Sequence, residues 1–82
     1  LASIRQQKQP NEAVEILDIS TDGCRIRSRW GIAVGSRVWL GLPGIGTWAA
    51  TVIWFDRGMC GLRFDRALHP MVAERFASSR ST

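Results

Sequence analysis

Asp18-Ile19-Ser20-Thr21-Asp22-Gly23-Cys24-Arg25-Ile26-Arg27 joins two strand-like runs through a bend of short polar residues and a glycine. These residue types form turns for separate reasons. Carboxylate and hydroxyl groups bond nearby backbone amides, and glycine accepts conformations and close approaches that a Cβ forbids. Upstream of the bend, Ala13 to Ile19 reads as strand, with Val14 and Ile16 on one face and Leu17 and Ile19 on the other. Downstream, Cys24, Ile26 and Ser28 alternate with Arg25, Arg27 and Arg29, a period-two strand with a cationic outer face. The reading is strand, turn, strand, with Asp18, Ser20 and backbone amides presented at the tip for hydrogen bonding to a small polar ligand.

The same alternation continues outward from this hairpin. Gly31 to Gly35 is a connection, Val38, Leu40 and Leu42 mark the apolar phase of the next strand, and Pro43-Gly44-Ile45-Gly46 is a turn. Thr47 to Phe55 reads as a long strand, with Thr47, Ala49, Thr51, Ile53 and Phe55 on one phase and Trp48, Ala50, Val52 and Trp54 on the other. Asp56-Arg57-Gly58 signals a hairpin into a closing strand on which Cys60, Leu62 and Phe64 alternate with Gly61, Arg63 and Asp65. Pro70 suits a helix start, and Leu68, Val72 and Phe76 recur at four-residue spacing, which predicts one short helix. Several antiparallel strands and one helix cannot hide their edges in so small an open sheet. The class predicted is therefore all-β, a closed or nearly closed barrel with the helix across an opening. Residues 1–11, polar from Gln6 to Asn11, read as a flexible N-terminal arm, 12–78 as the barrel domain with its helix, and 79–82 as a disordered tail.

With 82 residues the chain holds one domain with a small core. Lys and Arg total 11 against 7 Asp and Glu, and all the basic residues except Lys8 are arginine, which suits forked recognition of phosphate or guanine. Cys24 and Cys60 are too few for a disulfide framework and fall on apolar phases, as buried free thiols in a reducing, cytoplasmic compartment. No apolar run approaches a membrane span. The single histidine, His69, lacks the neighbours of a metal site and reads as a helix-start residue. Ser20 has no base and no nucleophile-elbow context, and the turn separates Asp18 from Asp22. These features point to a binding module without metal or cofactor rather than an enzyme. A purely structural role remains open for the bend: Asp18 accepting a backbone amide, Ser20 capping, and Gly23 supplying a special conformation.

At these residues the chain resembles the PilZ domain family, bacterial receptors for cyclic dimeric guanosine monophosphate (cyclic di-GMP). The family signature of Asp or Asn, any residue, Ser, any two residues, Gly is matched by Asp18-Ile19-Ser20-Thr21-Asp22-Gly23. Cys24-Arg25-Ile26, Gly35-Ser36-Arg37-Val38-Trp39-Leu40 and Gly61-Leu62-Arg63-Phe64 also resemble it, over about residues 12 to 76. The resemblance implies a small six-stranded antiparallel barrel of split-barrel type that binds the dinucleotide on its outer surface and alters the posture of an arm or partner. Asp18, Ser20 and Gly23 are its implied ligand contacts. The family's other signature is Arg, three residues, Arg. Here Arg5 is followed at that interval by Gln9, so either the pair lies upstream of Leu1 or the site is degenerate. Arg5, Lys8, Arg25 and Arg27 are the available substitute cations, and the arm is expected to order over bound ligand.

Two further readings stand beside this one. A domain that no longer binds nucleotide would serve as a protein-protein interaction module in motility or pilus assembly, marked by an exposed apolar patch around Trp30, Trp39, Trp48 or Trp54. A free stripe of Arg25, Arg27, Arg29 and Arg37 would instead suit long nucleic acid, which is not the expected partner. The chain is expected as a monomer or weak homodimer.

Overall fold

Side chains that alternate between apolar and polar set the strands, and the computed structural model describes residues 2–6, 12–28 and 31–80. In chain order the elements are β1 (Ala2–Gln6), β2 (Glu12–Ile19), β3 (Gly23–Arg27), β4 (Arg37–Leu42), β5 (Gly46–Asp56), β6 (Met59–Phe64) and α1 (Pro70–Arg80). Neighbouring strands are antiparallel in the order β1-β2-β3-β6-β5-β4, and β4 returns to β1. The sheet thus closes as a barrel, which removes the exposed edges expected to be unfavourable in an open sheet of this size. Its interior is filled by Ile4, Ile26, Val38, Leu40, Val52, Cys60 and Leu62, each at most 2% exposed.

Closure depends on a strand that the sequence reading left inside the flexible arm. Residues 2–6 pair with β2 on one side and β4 on the other, with Ile4 opposite both Glu12 and Leu40. Ala2 and Ile4 are its buried pair. Two inward apolar residues beside a polar run carry too little periodicity to announce a strand, but β2 and β4 both need a hydrogen-bonded neighbour. The rest of the expected arm, residues 7–11 with Lys8, lies outside the described residues. At the other end α1 runs to Arg80, past the expected boundary at residue 78, and residues 81–82 of the expected tail lie outside the described residues.

Two bulges correct the predicted faces. Opposite β3, Ile16 pairs with Ile26 and Asp18 with Arg25, which leaves Leu17 as an extra residue in β2. Opposite β6, Val52 pairs with Leu62 and Trp54 with Gly61, which leaves Ile53 extra in β5. After each bulge the alternation restarts. Ile19 and Phe55 therefore pack toward the core, while Asp18 and Trp54 face outward.

The two ends of the barrel are covered differently. At one end the β5–β6 hairpin turns through Arg57 and Gly58, both at positive φ (50° and 79°) as the two-residue turn requires, and Gly58 accepts the N–H of Ser28 at 2.8 Å. The connection that follows from Ser28 to β4 buries Ile32. At the other end lies α1, with Ala73 buried and Val72 and Phe76 packed against the core. His69 starts this helix: its Nδ1 accepts the N–H of Met71 at 3.1 Å and its carbonyl accepts those of Val72 and Ala73. Among the described residues no helix is long and apolar enough to cross a membrane.

Candidate functional site

The bend between β2 and β3 is tied by its own side chain. The Ser20 N–H and Oγ both donate to the Gly23 carbonyl, at 2.8 and 3.3 Å, and the Asp22 N–H donates to Ser20 Oγ at 3.3 Å. Serine holds the turn closed while remaining exposed. Gly23 has no positive φ; its requirement is space, because a Cβ there would overlap the carbonyl oxygen of Leu62 on β6. The bend is anchored outward as well. Asp22 and Thr21 offer their carbonyls to the N–H groups of Phe64 and Leu68, each at 2.8 Å, so the turn is bonded to the peptide leading into α1.

Beside this turn an open groove of about 420 Å³ lies on the outer face of the barrel, a size typical of small-molecule sites. Gly23 on β3 and Gly61 on β6 keep its floor low, the turn residues Asp18, Ser20 and Asp22 with Arg25 line one side, and Ile53, Trp54 and Arg63 also line it. The bulges account for this arrangement. Regular alternation from Val14 and Ile16 would have turned Asp18 inward; the extra Leu17 turns it out. The extra Ile53 leaves Trp54 opposite Gly61, where the indole rests on a residue with no side chain to lift it away. Gly61 is buried beneath the ring, while Trp54 itself is 37% exposed.

Charge in the groove is partly paired. Arg25 Nη2 donates to Asp18 Oδ2 at 2.8 Å. A carboxylate offers about four lone-pair directions, so this bond orients Asp18 and leaves acceptor capacity for a ligand. Asp18, Ser20, Gly23 and Arg25 are thus brought together. Arg27 is not part of the group: it lies two pairs further along β3, at 3.8 Å from Glu15 across the strand pair. Arg5 sits elsewhere, on β1, with its guanidinium 4.8 Å from the ring centre of Trp39 on β4. The neighbouring Ile4 pairs with Glu12 at the opposite end of β2 from Asp18, roughly 20 Å along the strand. Trp54 and Arg63 were not singled out as ligand contacts by the sequence reading, since only pairing across strands places them beside Asp18.

Behind the groove, the core thiols are protected. Burial, then the neighbouring Cys60 and Asp18, push the Cys24 thiol up from 9.0 to about 12, and burial pushes Cys60 to about 11. Neither thiol is a nucleophile at neutral pH. Among the described residues no cluster of three His, Cys, Asp or Glu could hold a metal ion. Among the described tryptophans, Trp39 and Trp48 line one surface pocket together and Trp54 lines the groove. Trp39 carries Arg5, and Trp48 carries Arg66 at 4.7 Å while donating its Nε1–H to the Arg66 carbonyl at 2.6 Å. Trp30 and Arg29 lie outside the described residues. Of the expected cationic stripe, Arg25, Arg27 and Arg37 face Asp18, Glu15 and Asp65.

The sequence model of the PilZ domain family matches the chain over residues 2–74. No curated protein and no solved structure matches it.

Proposed function

The chain belongs to the PilZ domain family, and we propose that its outer groove binds cyclic di-GMP and passes occupancy to the peptide leading into α1. PilZ domains are non-catalytic receptor modules, so the chemistry required is recognition alone. The observation that carries the proposal is the convergence of the Asp18–Ser20–Gly23 turn with Trp54 across a groove made accessible by two bulges. Asp18 accepts from the N1–H and exocyclic amine of guanine. Ser20 offers its hydroxyl to phosphate or guanine, and the exposed face of Trp54 suits stacking of a base, worth roughly 1–3 kcal/mol.

The relay follows from the anchoring of the turn. Because residues 2–6 are built into the barrel, movement of a free arm over the ligand does not involve Arg5. The Thr21 and Asp22 carbonyls hold the amides of Leu68 and Phe64 instead, so a ligand that shifts the turn also biases the start of α1.

Calorimetric titration with cyclic di-GMP tests this reading. Asp18→Ala is expected to weaken binding roughly tenfold or more, since it removes a charged acceptor. Stability should change by less than about 1 kcal/mol, because the Asp18–Arg25 pair is solvent-exposed. A second reading, an interaction module without nucleotide, draws on Arg5 being engaged with Trp39 rather than the groove. Absence of saturable heat in the unsubstituted chain favours that second reading.

A further inference from the structure

We propose that Arg63 is the phosphate-binding residue of the groove, supplying from β6 positive charge that Arg5, held over Trp39 away from the groove, does not bring to it. This assignment rests on the reading of the groove as a cyclic di-GMP site. It goes further by naming the cation, which lies on a different strand from every candidate that the sequence offered.

Three observations lead to Arg63. It lines the groove on the same surface as Asp18, Ser20 and Trp54. Its neighbours in register are Gly23 on β3 and Thr51 on β5, so neither adjoining strand places a bulky side chain directly opposite it. Among the described residues it makes no ion pair or hydrogen bond, whereas Arg25, Arg27 and Arg37 each face a carboxylate within ion-pair distance.

Charge balance then assigns the roles. The groove is lined by two carboxylates, Asp18 and Asp22, and two guanidinium groups, Arg25 and Arg63. Carboxylates suit the N–H donors of guanine and repel phosphate, so the ligand's negative charge has to meet a guanidinium. Arg25 is already held by Asp18. Arg63 keeps its fork of donors available, and a phosphate placed there lies across the floor formed at Gly23, where no Cβ intervenes. Trp54, Asp18 and Arg63 would then hold base face, base edge and phosphate.

The test is titration with cyclic di-GMP at several ionic strengths, for the unsubstituted chain and for Arg63→Gln, Arg63→Lys and Arg75→Ala. Arg75 is an exposed arginine on α1 outside the groove and controls for net charge. Arg63→Gln should weaken binding roughly tenfold and flatten its dependence on salt, because the screened attraction is gone. Arg63→Lys should keep the salt dependence with part of the affinity, and Arg75→Ala should match the unsubstituted chain. Thermal unfolding confirms that each variant is folded. If the unsubstituted chain binds and Arg63→Gln binds equally well with the same salt dependence, the assignment of Arg63 is overturned while the groove remains the site. If the unsubstituted chain shows no saturable binding, the reading of the groove and the role of Arg63 fall together.

Discussion

Gly23 illustrates how one residue serves both fold and site. It lets β3 approach the Leu62 carbonyl on β6, and it leaves the floor of the groove open beside Arg63. Gly23→Ala should therefore lower stability by roughly 1–3 kcal/mol, the range for inserting a methyl group where backbone cannot yield, as read by denaturant unfolding. An unchanged midpoint would show that the strands separate without strain. The thiols of Cys24 and Cys60 act only as core. Their folded values are raised, so the unfolded chain releases its thiol protons first, and stability should fall as pH rises from 9.0 toward about 12. Near neutral pH iodoacetamide should label neither thiol in the folded chain and both in denaturant; rapid labelling of the native protein would contradict their burial. The roles of Asp18, Ser20 and Gly23 were legible as residue types with turn chemistry, but their partners were not. Asp18 pairs with an arginine rather than a backbone amide, and Gly23 answers a steric need rather than a dihedral one.

At the scale of elements, local alternation made β3, β4 and β6 readable, and the positive-φ turn between β5 and β6 was signalled by Asp56-Arg57-Gly58. The bulges were not readable, because an extra residue is defined only against the strand that fails to match it. Leu17 and Ile53 look like ordinary apolar strand residues until Ile26, Arg25, Leu62 and Gly61 are set opposite. The long β5 run therefore invited a single uninterrupted phase that put Phe55 and Trp54 on the wrong faces. Deletion of Ile53 isolates what the β5 bulge contributes. Val52, Trp54 and Phe55 keep their inward and outward senses after the deletion, so the chain should fold, but the bend that aims Trp54 along the groove is lost. Cyclic di-GMP affinity is expected to fall roughly tenfold, comparable to removing a stacked base contact. A deletion variant that is folded and retains full affinity would show that the bulge is incidental to binding.

For the whole molecule, closure was predictable from the economy of edges, while the strand that completes it was not. β1 is recognised only by the two open neighbours it satisfies, β2 and β4. The same non-local logic assembles the groove: Asp18, Trp54 and Arg63 are far apart in sequence and come from β2, β5 and β6, brought to one surface because β3 pairs with both β2 and β6 and β6 pairs with β5. Closure also fixes Arg5 over Trp39, away from that surface, so among the described residues the cations lining the groove are Arg25 and Arg63, from the strands of the groove itself. Amide chemical-shift mapping by NMR during addition of cyclic di-GMP tests the central claim most directly. The account expects saturable shifts concentrated at Ser20 to Arg25, Gly61 to Arg63 and the Trp54 indole N–H, with smaller changes at Leu68 and the start of α1. Shifts confined to the Arg5–Trp39 surface, or no saturable shifts anywhere, would contradict it.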